Sequence, residues 1–347
     1  MSIFISILMF GVIVVIHELG HMLVAKKNGI YVKEFWVGFG PTIFSLKKGE
    51  TKYCLKIIPL GGACVFEEDF AEEGHVPSER SFLSASVAKR IDTVLAGPVS
   101  NLILAFVFSL IVLSIAGYSD ATLYEIVEGS PAERAGLQAG DVIVKMDHER
   151  IHLYDEVLLN TVFNRGEAVN ITYERNGERH SVEITPEYSE EAGRYLFGVI
   201  GGQRTEGQTV LSTIQYSFYN VNYSVKNVFK SFLSLFRGRI KVEDVSGVVG
   251  VTAAMSDLYE ESRSYGALII ALNMLSVAIL VSANVGIFNL FPIPGLDGGK
   301  LLFYIVEIIR RKPADKEIEA KIQLAGFALM LLMVVFITYN DILKLIK

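Results

Sequence analysis

Charge is what this sequence most lacks. Only 20% of its 347 residues are Asp, Glu, Lys or Arg, 51% are hydrophobic, and the mean hydropathy is +0.40. Such a chain is no ordinary soluble domain; it predicts a membrane protein with a soluble part. Cysteine is scarce too: Cys54 and Cys64 stand alone, share one loop, and have the spacing of neither a metal site nor a disulfide framework. No basic stripe exists and the formal net charge is −6, so nucleic acid is excluded as the expected partner. Lys and Arg are missing ahead of the first apolar run, and no small-residue cleavage pattern follows it. That run is therefore expected to be retained rather than removed as a leader.

Long apolar segments are what the chain has in quantity. Four stretches, about residues 3–25, 94–117, 266–288 and 322–345, reach the roughly 20 residues a helix needs to cross a hydrocarbon core about 30 Å thick. Lys26 and Lys27 follow the first, Lys89 and Arg90 precede the second, and Arg310, Arg311 and Lys312 lie between the third and fourth. All fall on one side, which the positive-inside rule assigns to the cytoplasm. Both termini and the long segment between spans two and three are then expected outside, with Lys344 and Lys347 as the contrary sign.

Between the first two spans, residues 51–66 are β-rich and broken by Pro59-Leu60-Gly61-Gly62, which predicts two short strands joined by a turn. The acidic cluster Glu67, Glu68, Asp69, Glu72 and Glu73 reads as a solvated loop. From about residue 121 to 186 a small mixed domain is expected. Ser130-Pro131-Ala132-Glu133 is a capping box with proline at the first helical position, and Gly136 is placed to end that helix. A strand over 141–146, an amphipathic helix over 154–163 and a strand over 169–173 follow, the last leading to a hairpin at Asn176-Gly177. The run Gly129-Ser130-Pro131-Ala132-x-x-Ala135-Gly136-Leu137-x-x-Gly140-Asp141-x-Ile143 resembles the bacterial PDZ domain family. That resemblance implies an open groove that takes an extended peptide as an added strand. Residues 209–236 carry Val, Leu, Tyr and Phe at helical spacings, with Arg237, Arg239 and Lys241 after them. They predict an amphipathic helix lying on the membrane surface or, equally, packed against the bundle.

Chemistry concentrates in His17-Glu18-Leu19-Gly20-His21, at the end of the first apolar run. Histidines four apart on a helix sit about 40° apart around its axis, one turn up, so both imidazoles converge on one ion. Glu18 lies on the flank, within reach of a water at that ion but outside the coordination positions. The pattern reads as two zinc ligands and a general base. Ionisable groups inside a span are costly and mark function. A zinc site needs a third protein ligand, and Asp297 is the intramembrane acid that stands out. Pro292 and Pro294 end the third span and Gly298-Gly299 allows tight turns, so Asp297 is expected on irregular backbone at the depth of the histidines.

His17-Glu18-x-x-His21 in the first span, with Asn289-x-x-Pro292-x-Pro294-x-Leu296-Asp297-Gly298 in a late one, resembles the site-2 protease family of intramembrane zinc metalloproteases. With one PDZ domain inserted, the chain is similar to that family's bacterial regulator of sigma-E protease branch. Gly38-x-Gly40-Pro41, Pro59-x-Gly61-Gly62, Ala96-Gly97-Pro98-x-x-Asn101 and Asn284 carry the likeness across most of the chain. Val248, where proline is usual, and Lys300, where histidine is common, depart from it. The resemblance implies a polytopic α-helical membrane protein of about four transmembrane helices, with a short membrane-associated β-hairpin region and an inserted extracytoplasmic α/β PDZ domain. Its regions are 1–117 (spans one and two), 118–205 (PDZ), 206–264 (amphipathic connector) and 265–347 (spans three and four).

The resemblance also implies that His17, His21 and Asp297 hold Zn²⁺ and that Glu18 is the general base. Asn289 and Asn284 then hold freed backbone groups of an unwound substrate, residues 53–58 pair with it as a strand, and Asn101 is structural. The expected partners are membrane lipid and single-span membrane proteins already trimmed by another protease, either anti-sigma factors or signal-peptide remnants. The expected place is the bacterial cytoplasmic membrane, with the active site near its cytoplasmic side. The competing class is a membrane-anchored PDZ scaffold or pseudoprotease, which predicts damage to the ligand or base set; that set is intact in this sequence.

Overall fold

The computed structural model describes residues 2–67, 69, 78–205, 208–238, 245–312 and 315–346. Glu68, Glu72, Glu73, Arg239, Lys241 and Lys347 lie outside the described residues. The chain divides into two compact units, Met1–Ala105 with Ile240–Lys347, and Phe106–Arg239.

The first unit opens with α1 (Ser2–Lys27), two long strands β1 (Val32–Lys48) and β2 (Thr51–Phe66), and the start of α2 (Val87–Ala116). Each long strand serves as two arms. Phe35 pairs with Cys64 on one side and Tyr53 on the other, Trp36 with Ala63 and Cys54, and Val37 with Gly62 and Leu55. Tyr53, Cys54 and Leu55 pair again with Leu46, Ser45 and Phe44. The arms thus lie in the order 62–66, 32–37, 51–56, 42–48, and the middle pair runs parallel because 35–37 and 53–55 rise together. In place of two short strands joined by a turn, residues 51–66 form one strand whose two halves each flank β1, with Gly61 at φ +91° between them. One expectation is corrected by this register. Residues 53–55 have neighbours along both edges and none left for an incoming strand, whereas 62–66 form an edge of the sheet. Phe39, Ile43, Phe44, Leu46, Leu55, Ile57 and Ile58 are exposed, an apolar surface suited to lipid.

The second unit carries β3 (Leu123–Ile126), α3 (Pro131–Arg134), β4 (Val142–Met146), β5 (Glu149–Arg150), α4 (Tyr154–Phe163), β6 (Val169–Arg175) and β7 (Glu178–Ile184). It continues with β8 (Glu187–Ser189), β9 (Arg194–Leu196), β10 (Val199–Gly201) and α5 (Val210–Phe236). The Ser130 hydroxyl accepts the Glu133 amide at 3.3 Å with Pro131 opening α3. Asn176 and Gly177, at φ 53° and 82°, close a two-residue hairpin in the register Arg175 to Glu178. Leu123, Ile143, Met146, Val157, Ile171 and Phe197 fill the core.

One edge of β10 pairs with β3. At its other edge the Tyr154 hydroxyl donates to the Val199 carbonyl at 2.9 Å, and the Tyr154 ring occupies the space beside Gly201 and Gly202. The strand edge expected to stand open is therefore occupied by a side chain of α4.

Helix α5 packs against α4 and the chain leading into it, a partner that neither reading of the helix named. Lys226 Nζ donates to Glu156 Oε1 at 2.5 Å and to the Arg150 carbonyl at 2.9 Å, Lys230 Nζ donates to Asn160 Oδ1 at 2.9 Å, and the Tyr219 ring stacks on His152. Val210, Leu211, Ile214, Phe218, Phe229, Leu233 and Phe236 remain exposed. The helix packs through polar groups and presents apolar ones, as an interfacial helix does.

The chain returns to the first unit as α6 (Val248–Ser262), α7 (Ala267–Leu290), α8 (Asp297–Arg310) and α9 (Lys316–Ile346). Helices α1, α2, α7 and α9 match the four expected spans, with mean hydropathies of 2.3, 2.5, 2.2 and 2.2 in their most apolar stretches. The protein is a multi-pass membrane protein. Helix α6 was not expected. Its first turn has no side-chain cap of its own, and the cap comes from α9: Asp341 Oδ2 accepts the amides of Gly247 at 3.0 Å and Gly250 at 2.8 Å. Helix α8 corrects the expected setting of Asp297. The irregular backbone is Phe291 to Leu296, and Asp297 is the first residue of the helix that follows.

Candidate metal centre

Helix α1 brings His17 and His21 to one side, both buried, with ring centroids 4.7 Å apart and planes at 82°. Their Nε2 atoms are 3.1 Å apart. After α7, Pro292 and Pro294 carry the chain through a turn with Gly295 at φ +93°, and Gln323 Oε1 of α9 accepts the Gly295 amide at 2.5 Å. That turn delivers Asp297, whose Oδ2 lies 3.1 Å from His17 Nε2 and 3.2 Å from His21 Nε2. Among the described residues, His17, His21 and Asp297 form one group of potential metal-ligating side chains.

The donor set fits zinc. A tetrahedral ion with bonds of about 2.0–2.1 Å needs ligand atoms separated by about 3.3 Å, close to all three distances here. Two imidazole nitrogens and one carboxylate oxygen leave a fourth position, the pattern of a catalytic rather than a structural site. Each ring also uses its remote nitrogen: His21 Nδ1 lies 2.8 Å from the Thr93 carbonyl and His17 Nδ1 lies 3.3 Å from the Asn101 carboxamide. Such outer partners orient metal-binding histidines.

Close packing of α2 on α1 makes this possible. A Cβ on Gly97 would stand 2.3 Å from His21 Nε2 and 2.8 Å from His17 Nε2, and one on Gly20 would stand 2.2 Å from Ser100 Oγ. Pro98, inside α2, has no amide, so the ladder is interrupted next to the turn that faces the histidines.

Glu18 stands beside the group and outside it, as its place in the motif predicts. Its Oε2 accepts the Cys64 amide at 2.8 Å, from the edge arm of β2. Burial pushes the Cys64 thiol far above its ordinary pKa, with the Glu18 charge adding to the effect. A cavity of about 510 Å³ joins these residues; its wall includes Glu18, Asp297, Asn289, Lys300, Glu319 and Gln323. Asn289 reaches the cavity while its Nδ2 donates to the Val285 carbonyl of its own helix at 2.9 Å. Asn284, about 140° around α7 from Asn289, is not part of the cavity wall. Sequence reasoning missed Thr93 and the Cys64 amide, which act through backbone atoms, and Gln323, whose distance in sequence hides its contact with Gly295.

Comparison with known proteins identifies the family of the chain. The model of peptidase family M50 matches residues 5–333. A Clostridium acetobutylicum protein assigned as a zinc metalloprotease is 32% identical over 98% of this chain and 97% of its own. The zinc metalloprotease RasP of Geobacillus kaustophilus is 28% identical over 99% of this chain and 98% of its own. The regulator of sigma-W protease RasP of Bacillus subtilis is 28% identical over 98% and 97%. Among solved structures, a PDZ domain of an SdrC-like protein from Listeria monocytogenes matches with 20% identity and a TM-score of 0.23, covering 25% of this chain and 90% of that one. With a family model spanning nearly its whole length, this chain belongs to peptidase family M50, the site-2 proteases, and is a zinc metalloprotease.

Proposed function

We propose that the protein hydrolyses peptide bonds within the transmembrane segments of single-span membrane proteins, using zinc held by His17, His21 and Asp297 with Glu18 as general base. The observation that carries this reading is the Nε2, Nε2, Oδ2 triangle buried among apolar spans, with a carboxylate beside it in an open cavity. Zinc, when bound there, supplies Lewis acidity to the attacking water and the scissile carbonyl.

The chain's own groups do the rest. The Cys64 amide holds Glu18 Oε2 and leaves Oε1 to take a proton from the water and pass it to the departing amine. A helical substrate hides its carbonyls in internal hydrogen bonds, so it must be unwound before cleavage. The edge arm 62–66, next to Glu18, is the place where an extended substrate adds as a strand, replacing the 53–58 stretch first expected. Asn289 donates one amide hydrogen to the Val285 carbonyl, and its own carbonyl oxygen is left to accept an amide freed by unwinding.

The basic residues beside the spans support a location in the bacterial cytoplasmic membrane with residues 118–205 outside. His17 to His21 lie near the Lys26-Lys27 end of α1, hence near the cytoplasmic face. One relative is named a regulator of sigma-W protease, which favours anti-sigma factors as substrates ahead of signal-peptide remnants. Incubating the purified protein with single-span model substrates and mapping the products by mass spectrometry tests the reading. Cuts inside the apolar span are expected; cuts confined to flanking loops overturn it.

A further inference from the structure

Thr93, Gly97 and Asn101 follow one another at four-residue steps on α2, drifting about 40° per step, and all three meet the histidine pair of α1. The Thr93 carbonyl holds His21 Nδ1, Gly97 leaves room for both Nε2 atoms, and Asn101 stands against His17 Nδ1. A neutral imidazole carries one N–H. If Nε2 binds metal, the proton sits on Nδ1 and that nitrogen must donate. His21 meets the requirement with a backbone carbonyl. Among the described residues, the partner recorded for His17 Nδ1 is the Asn101 carboxamide.

The two ends of a carboxamide are assigned by hydrogen-bond logic, and a donating Nδ1 calls for the oxygen. We infer that Asn101 is a positioning residue for zinc: its side-chain oxygen accepts the His17 Nδ1–H and fixes the tautomer and ring orientation that present Nε2 to the metal. The competing role is plain interhelical adhesion. Asn101 has no exposed surface, and the end of its amide away from His17 has no hydrogen-bond partner. A side chain kept for adhesion would be expected to satisfy both ends; this one is spent on a single ring nitrogen. Helix α7 holds that turn of α2 in place, with Ser282 Oγ donating to the Asn101 backbone carbonyl at 2.8 Å and a Cβ on Gly286 able to approach only to 2.9 Å of the Pro98 carbonyl.

The inference rests on His17 being a zinc ligand, so the experiment separates the two claims. Zinc affinity of the full-length protein in detergent is measured by competition with a chelator for wild type, Asn101→Asp, Asn101→Leu and His17→Ala. Thermal unfolding of each metal-stripped protein serves as the folding control. Asp keeps an acceptor and is expected to hold zinc within about threefold of wild type, while Leu is expected to lose 10- to 100-fold, the usual effect of removing an outer partner. Wild-type affinity in Asn101→Leu, or a loss in Asn101→Asp as large as in Asn101→Leu, overturns the inference. If Asn101→Leu does not fold, Asn101→Asp decides alone, and a tenfold loss there overturns it. Retention of zinc by His17→Ala would instead overturn the ligand assignment.

Discussion

At Gly97 the site depends on the absence of one methyl group. A Cβ there would lie 2.3 Å from His21 Nε2, and His21 cannot swing aside without giving up its bond to the Thr93 carbonyl. Overpacking of this kind costs about 1–3 kcal/mol where neighbours shift, and here the neighbours are the proposed ligands. Gly97→Ala is expected to purify as a folded protein with little zinc, read by metal analysis; a full complement of zinc would contradict the close packing. The residue scale is also where the sequence was most and least legible. His17, Glu18 and His21 announce themselves because their helical spacing puts two nitrogens on one point, and Asp297 because acids are rare among the apolar spans. Thr93 was illegible because every residue has the carbonyl through which it acts. The contact of Asn101 with His17 was illegible because it depends on where α2 crosses α1, which no local pattern encodes.

Among the elements, strongly periodic or strongly capped ones were legible: the four spans, the α3 capping box and the Asn176-Gly177 hairpin all lie where local rules put them. Helix α6 was hidden because its cap is a carboxylate about 90 residues away on α9. The β arms were half legible. Pro59 and Gly61 announce the break, but not that the two halves of β2 flank β1, which is what decides the edge nearest Glu18. Tyr154 marks a similar limit, since the PDZ-like motif implies a strand edge that can be extended and the α4 side chain occupies it. A single hydrogen bond nets about 1 kcal/mol, worth about fivefold in affinity. Tyr154→Phe keeps the ring and frees the Val199 carbonyl, so extended peptides with a free C-terminus should bind the full-length variant roughly fivefold more tightly, measured by fluorescence polarisation. Equal binding would show that the hydroxyl does not guard this edge.

For the molecule as a whole, the chain's poverty in charge and its few buried ionisable groups belong to one account. Apolar spans accept ionisable side chains when these are paired or put to use. Here three of them converge within hydrogen-bond distance at the junction of α1 with the turn between α7 and α8, and a fourth stands beside them. The second unit adds, through α5, an apolar helical face suited to an interface. The central claim is that Glu18 moves the proton and does not hold the metal. Its most direct test is zinc content and cleavage of one single-span substrate, measured side by side on the purified wild type and Glu18→Gln. The account predicts about one zinc per chain in both proteins, with cleavage by wild type alone. Cleavage by Glu18→Gln, or loss of its zinc, would contradict it.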